Sequence, residues 1–298
     1  MKSNAKIGDA VISTVIKFAG YSSILFVGLI LFFLLREGLP TLWEIDLSSL
    51  TQPRWYPIEG LFSLLPLILG TLMVTLTATL IALPFGVGTA VYLSEVAPGW
   101  IRDTLKPIIE ILAGIPSVVL GFIGILVLVP FLRKFLGLPT GLTGFTGAIL
   151  LGLISIPTIV AVAEEALNTV PASYRQAALA LGATRWQTIW GVTLPAAKSG
   201  VLTAVMLGIG RSLGETMAVM MVTGNAAVIP LQLNSLFRPL RTMTATIASE
   251  MGEVATGSAH YEVLFFIGIL LFLLSLVINI IASAVSTKTR RRAERILS

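Results

Sequence analysis

Six long apolar stretches dominate this chain, and a lipid bilayer is the solvent in which so many are stable together. They run over about 18–35, 67–92, 107–132, 143–165, 200–224 and 262–285. Each approaches the roughly 20 apolar residues that cross a hydrocarbon core as a helix. Water is absent there, so a stretch that satisfies its own amides and carbonyls as an α-helix is the element expected. The expected fold class is an all-α integral membrane protein with six transmembrane helices. Composition agrees: charged residues make up 12% of the chain, against about 25% in soluble domains.

The first span reads as a retained helix. Its apolar run is too long for a signal-peptide core, and "REGLPTLW" behind it has no small-residue cleavage site. "LFSLLP" at 61–66 reads as an interfacial lead-in to the second span. Six spans leave both termini on one side. Lys2, Lys6, Lys17, Arg102, Lys106, Arg175, Arg185, Lys198 and the C-terminal cluster fall on that side. Arg36, Arg54, Arg133, Lys134, Arg238 and Arg241 fall on the other. The excess predicts cytoplasmic termini, with Arg133 and Lys134 running against the rule. The chain then divides into 1–66 (cytoplasmic N-terminus, first helix and external loop), a membrane core over 67–285, and a basic cytoplasmic tail over 286–298. The tail, "KTRRRAERILS", follows a long apolar run, which marks a membrane flank and not a nucleic-acid footprint. Trp43, Trp55, Trp100, Trp186 and Trp190 all fall outside the spans, as interfacial residues do. Pro84, Pro116 and Pro157 interrupt spans, either for packing geometry or to break helices that line a pathway.

Several chemistries are excluded. There is no cysteine and one histidine, His260, which the topology puts in an external loop as a satisfied surface residue. No histidine or cysteine metal cluster can form. There is no Walker A pattern, and "GIGRSLG" has the wrong spacing and context for a dinucleotide fingerprint. No catalytic residue, metal or bound cofactor is expected in this chain.

The fifth span carries two charges. Arg211 lies near its midpoint, roughly 16–18 Å from either end of a continuous helix. A central arginine costs about 2.5–3.5 kcal/mol on insertion scales. Glu215, four residues on, would share its helix face. Two readings stay open. The pair neutralises itself structurally, or Arg211 binds an oxyanion through parallel N–H donors while Glu215 competes for it and keeps binding weak. Gly208, Gly210 and Gly214 would thin the helix around the pair. Ser117 and the hydroxyl-rich "TMTATIASE" at 242–250 either line a wet path or bond to backbone carbonyls.

The loop over 166–199 is unlike a simple linker. "PASYRQAALALGA" has Pro171 and Ser173 at a helix start, alanines and leucines behind them, and Gly182 as a stop. A second short helix, "TRWQTIWGVTL", is expected to end at Pro195. Such a helix suits docking into a partner's groove, or resting on lipid.

This loop resembles the EAA motif of binding-protein-dependent ABC importer permeases. Gln176-Ala177-Ala178, then "LAL", Gly182, nine residues and Val192-Thr193-Leu194-Pro195 keep the motif's spacing, with Gln176 in place of glutamate and Val192 in place of isoleucine. "LPFGVGTAVYLSE", "LAGIPSVVLGFIG" and "GRSLGETMAV" together resemble phosphate-importer permeases of the PstC type. The resemblance implies a type I permease core of five helices plus one N-terminal helix, in a bacterial cytoplasmic membrane. It implies that Tyr174, Arg175, Gln176, Ala177, Ala178, Gly182, Leu194 and Pro195 form the surface that couples to an ATPase, and that Arg211 and Glu215 lie on the substrate pathway. The partners implied are a second permease subunit (PstA type), two copies of an ATP-binding subunit (PstB type) that hold ATP and Mg, and a phosphate-binding protein (PstS type). Sulfate- and molybdate-type permeases are the nearest alternative. A secondary transporter using Arg211 and Glu215 as an ion relay is a more distant one.

Overall fold

The computed structural model describes residues 2–44 and 49–297, with side chains described from Ile12 to Ala284 apart from a few positions. The basic side chains of the 286–298 tail lie outside the described residues.

Helix α1 (Lys2–Gly38) leads to a small antiparallel hairpin, β1 (Trp55–Tyr56) and β2 (Leu61–Phe62), in register Trp55↔Phe62. Helix α2 (Leu65–Val91) follows and closes in a π turn at Tyr92–Val96. Next come α3 (Gly99–Gly114), α4 (Ser117–Ile123) and α5 (Val129–Phe135), the last two joined through a π segment, and then α6 (Gly144–Asn168). After α7 (Ala172–Ala180) the chain bends into α8 (Lys198–Gly214) and the short α9 (Met217–Val222). It then returns through α10 (Met243–Glu250) to α11 (Ala259–Leu297).

Five helices among the described residues are long and apolar enough to cross a membrane: Ile12–Trp43, Leu65–Val96, Ser117–Phe135, Gly144–Asn168 and Ala259–Ile281. A sixth span exists only if Arg185–Ala196 and Lys198–Gly214, bent by 73°, are taken together. Two expected spans are therefore corrected. The third begins at Ser117, not at 107. Pro116 disfavours a helical residue before it, and Ile115 is extended (φ −66°, ψ 129°). The residues before that break form the separate amphipathic helix α3, which packs Ile101, Leu105 and Ile109 on the bundle and buries no residue fully. The fifth span is not a continuous helix over 200–224, because α8 ends at Gly214. Pro84 and Pro157, by contrast, sit inside unbroken helices. The lead-in at 61–66 is part strand and part helix, since α2 already starts at Leu65.

The bundle is built on α2 lying along α6, with α8 packed on both. Small residues make this close contact possible. Ala82 and Ala90 of α2, Ala163 of α6 and Ala204 of α8 meet in one buried cluster with Ile159, Val160 and Leu167. Helix α11 packs on α8, and α1 leans on α11. Between Ile12 and Phe33, α1 exposes large apolar side chains, including Phe18, Ile24, Phe26 and Phe32, as a lipid-facing or partner-facing helix requires.

At the hairpin end a second core gathers Trp55, Phe62, Leu67, Met243, Leu264 and Ile267. Trp55 is buried here, unlike the interfacial placement expected for it, and its indole N–H donates to Glu250. Glu250 also receives Arg241 at 2.7 Å and meets His260 Nε2 at 2.8 Å. His260 is thus satisfied, though by a half-buried ion cluster and not by solvent. One approach in this region leaves no room for a side chain. A Cβ on Gly70 would run into the Arg241 carbonyl oxygen. Because that obstacle is backbone, Gly70→Ala is expected to destabilise the protein by about 1–3 kcal/mol, read as a lower midpoint of thermal unfolding in detergent.

Candidate functional site

Arg211 lies in the last turn of α8. The flank of that helix beside Arg211 is fixed on α6, where Ser212 and Ser155 hydroxyls bond at 2.8 Å. Gly208 lets Ile159 approach so closely that a Cβ would sit 2.6 Å from it. Gly210 and Gly214 face open space instead, so only Gly208 thins the helix for a neighbour. Held this way, α8 turns Arg211 toward the exposed side. The side chain lines a cleft of about 380 Å³ together with Leu112, Leu120, Phe131, Leu153 and Pro157. Every other residue lining that cleft is apolar or glycine.

Glu215 does not share a helix face with Arg211. The glycine at 214 ends α8, and Glu215 is extended (φ −71°, ψ 126°). Its Oε1 accepts the amide N–H of Thr216 at 3.1 Å and of Ala218 at 3.3 Å, which caps α9. The expected pairing of residues four apart fails because the helix stops between them and two amide donors take the carboxylate. No hydrogen bond or ion pair joins Arg211 to Glu215 among the described residues. A guanidinium facing an apolar cleft without a competing carboxylate is a strong donor set for a tetrahedral oxyanion. Broken helices of this kind are where transporters place their substrates.

The hydroxyls near the break are structural. Thr242 accepts the amide of Ala245 and caps α10, Thr246 donates to the Thr242 carbonyl, and Thr244 donates to the Glu215 carbonyl. Of the two uses open to the 242–250 hydroxyls, backbone bonding is the one seen.

The loop at the other end of the bundle folds largely as its sequence directs. Pro171 precedes α7, and Gly182 ends the run with φ 86°, a conformation that favours glycine. Thr184 and Gln187 form a capping box for the next turn. The following helix does not end at Pro195: a π turn over Ile189–Thr193 leads into Leu194–Ala196, where Pro195 takes an early position that needs no amide donor. The sharp bend comes after it, at Ala197.

The loop residues divide by where they face. Tyr174 and Leu194 pack against the buried cluster, and Ala178 is buried. Gln176, Ala177, Gly182 and Pro195 are exposed. Leu181 is 89% exposed, and Trp186 and Trp190 stand outside in an edge-to-face pair 5.7 Å apart. These three exposed apolar side chains are ones that the motif spacing did not single out. Their size, among the small residues of an alanine-rich loop, was the available signal. Arg175 turns inward, to Glu95 of the π turn after α2. Sequence spacing could not reveal that pair, because its members are far apart in the chain.

Comparisons with known proteins agree with this architecture. The family described as "Binding-protein-dependent transport system inner membrane component" matches residues 82–291. A "Probable ABC transporter permease protein YqgH" of Bacillus subtilis is 40% identical over 246 residues, covering 82% of this chain and 79% of that one. A "Phosphate transport system permease protein PstC" of Pasteurella multocida is 34% identical over 277 residues, covering 87% and 82%. Among solved structures, a chain of the MetNI methionine ABC transporter in an inward-facing conformation aligns with a TM-score of 0.61 at 21% identity. That alignment covers 79% of this chain and 99% of that one. At that identity the likeness is one of fold, and it extends over most of the chain.

Proposed function

The chain belongs to the family of binding-protein-dependent transport system inner membrane components, and from that premise we propose that it is the membrane-spanning permease subunit of an ATP-driven importer of inorganic phosphate. One observation carries the choice of phosphate: the relative named as a phosphate transport permease aligns over 87% of this chain at 34% identity. The chain itself moves substrate and hydrolyses nothing. A second permease subunit completes the pathway, and two ATP-binding subunits holding ATP and Mg dock on the 166–199 loop. A phosphate-binding protein delivers the anion from outside. Both termini lie in the cytoplasm of a bacterial cell, the chain being multi-pass in its cytoplasmic membrane.

In this reading Arg211 receives the phosphate oxyanion at the break between α8 and α9. The apolar walls around it keep the local dielectric low, which strengthens a charge-assisted bond relative to water. Glu215 is bonded to the α9 amides in the state described here. It reaches Arg211 only if the turn at 214–216 rearranges, and that rearrangement would return the arginine to a neutral pair as the anion leaves.

The test is uptake of labelled phosphate by membranes carrying the whole complex, with sulfate and molybdate as competitors in large excess. ATP-dependent phosphate uptake indifferent to both is expected. Uptake of sulfate or molybdate in preference would assign the permease to another tetrahedral anion. Transport driven by an ion gradient without ATP would reject the importer class altogether.

A further inference from the structure

We infer that Arg175 is a positioning residue that clamps the coupling helix to the inner ends of two membrane helices, with Glu95 as its partner. The inference rests on the reading of the 166–199 loop as the ATPase dock. It differs from the motif's implication that Arg175 belongs to the docking surface itself.

The geometry is that of a saturated guanidinium. Nε lies 3.0 Å and 3.1 Å from the two carboxylate oxygens of Glu95, and one terminal nitrogen lies 2.5 Å from Oε1. The same terminal nitrogen donates to the Leu167 carbonyl at 2.9 Å, and the other donates to the Val170 carbonyl at 2.7 Å. All three nitrogens are therefore engaged within the chain. The side chains are 24% exposed for Arg175 and 8% for Glu95. Little of either is left for a partner protein.

Each contact leads to a different element. Glu95 belongs to the π turn that closes α2, and Leu167 is in the last turn of α6. Carbonyls at a helix end lack intrahelical donors, and a cation there is stabilising. Arg102 repeats the device on α2, donating to the carbonyls of Leu93 and Ser94. The network then continues sideways. Ser94 donates to Asn168 at 2.8 Å, Asn168 reaches Glu164, and Glu164, 3% exposed, meets Lys106 of α3 at 3.6 Å. One polar chain thus ties α7 to α2, α6 and α3. Helices α2 and α6 are the pair on which α8 and Arg211 are mounted. A push on α7 is transmitted to them as long as the bond between Arg175 and Glu95 holds.

The consequence is specific: the pair governs coupling, not docking. Glu95→Gln and Arg175→Gln are to be compared with the parent protein in the purified whole complex in lipid vesicles. The readouts are ATPase stoichiometry, ATP hydrolysis and phosphate transported. Both variants are expected to retain the ATPase. Each should hydrolyse roughly tenfold more ATP per phosphate moved, the scale of one lost charge-assisted bond. The conservative variant Glu95→Asp, which keeps the charge and leaves the Arg175 bonds to the Leu167 and Val170 carbonyls in place, should recover part of that ratio, a rescue that a general loss of stability would not show.

Three results would overturn the inference. An unchanged ratio in Glu95→Gln would show the bond to be idle. Loss of the ATPase in Arg175→Gln alone, with Glu95→Gln normal, would make Arg175 a docking residue. Loss of the ATPase in both, without recovery in Glu95→Asp, would make the bond a folding requirement. If the parent chain itself purified with no ATPase, the proposed function would fail first and this inference with it.

Discussion

Replacing Arg211 by alanine is expected to cut phosphate uptake on the order of a hundredfold or more while the complex still assembles. A charge-assisted hydrogen bond contributes about 1.5–3 kcal/mol, and about 1.4 kcal/mol is a factor of ten, so losing two parallel bonds to an oxyanion reaches that range. Assembly should survive because Arg211 lies on the exposed side of α8 and lines a cleft that is otherwise apolar. Truncating it removes a costly charge and breaks no bond seen in the fold. Arg211→Lys keeps the charge and loses the planar fork, so it should fall between the two. Uptake assays on matched amounts of purified complex decide the matter, and normal transport by Arg211→Ala would end the pathway role. If Arg211 served only to neutralise Glu215, alanine would lower stability instead. Glu215→Gln separates the remaining roles. Its amide oxygen can still accept from Thr216 and Ala218, so the α9 cap persists while the negative charge is gone. A change in turnover without loss of assembly is expected, and unchanged kinetics would remove Glu215 from the transport cycle.

The contrast between these two residues shows what the sequence could and could not disclose. A charged residue amid an apolar run is visible in any reading, because the cost of burying it is intrinsic to the residue. Its relation to Glu215 was not visible, since that depends on whether the helix continues. The stop at Gly214 carries one tertiary contact, the Thr244 hydroxyl bonded to the Glu215 carbonyl, and a local one, the carboxylate bonded to the amides of Thr216 and Ala218. Hydropathy averages over such breaks, and the same averaging merged α3 with α4 across Pro116. The proline was the signal there, and weighting it above hydropathy would have separated the two helices. The loop over 166–199 was more legible because its punctuation is local. Pro171 and Gly182 act on their own backbone, so they bounded α7 correctly. Arg175 shows the limit of that legibility. The motif located it, but only the fold revealed that Glu95, 80 residues away, takes its guanidinium.

Removing residues 173–183 should abolish both ATPase retention and transport, the second large effect. The excised piece holds nearly all of α7, the left-handed turn at Gly182, and Leu181, the most exposed large apolar side chain of the loop. An apolar residue 89% exposed, in a loop that also exposes two tryptophans, is costly in water and suits a surface that a partner covers. Deletion also breaks the bond between Arg175 and Glu95, so the loss alone does not separate docking from coupling. Leu181→Asp does. It leaves Arg175, Glu95 and the α7 backbone in place and puts a charge where an apolar contact is expected to form. The ATPase should then dissociate during purification while the chain remains folded, a result opposite to that of Glu95→Gln, which should keep the ATPase and waste its hydrolysis. A secondary transporter would be indifferent to Leu181→Asp, because nothing need dock there. Normal transport by that variant would therefore count against the importer itself, whereas loss of the ATPase with a stable chain would assign the outward face of the loop to docking and its inward face to transmission.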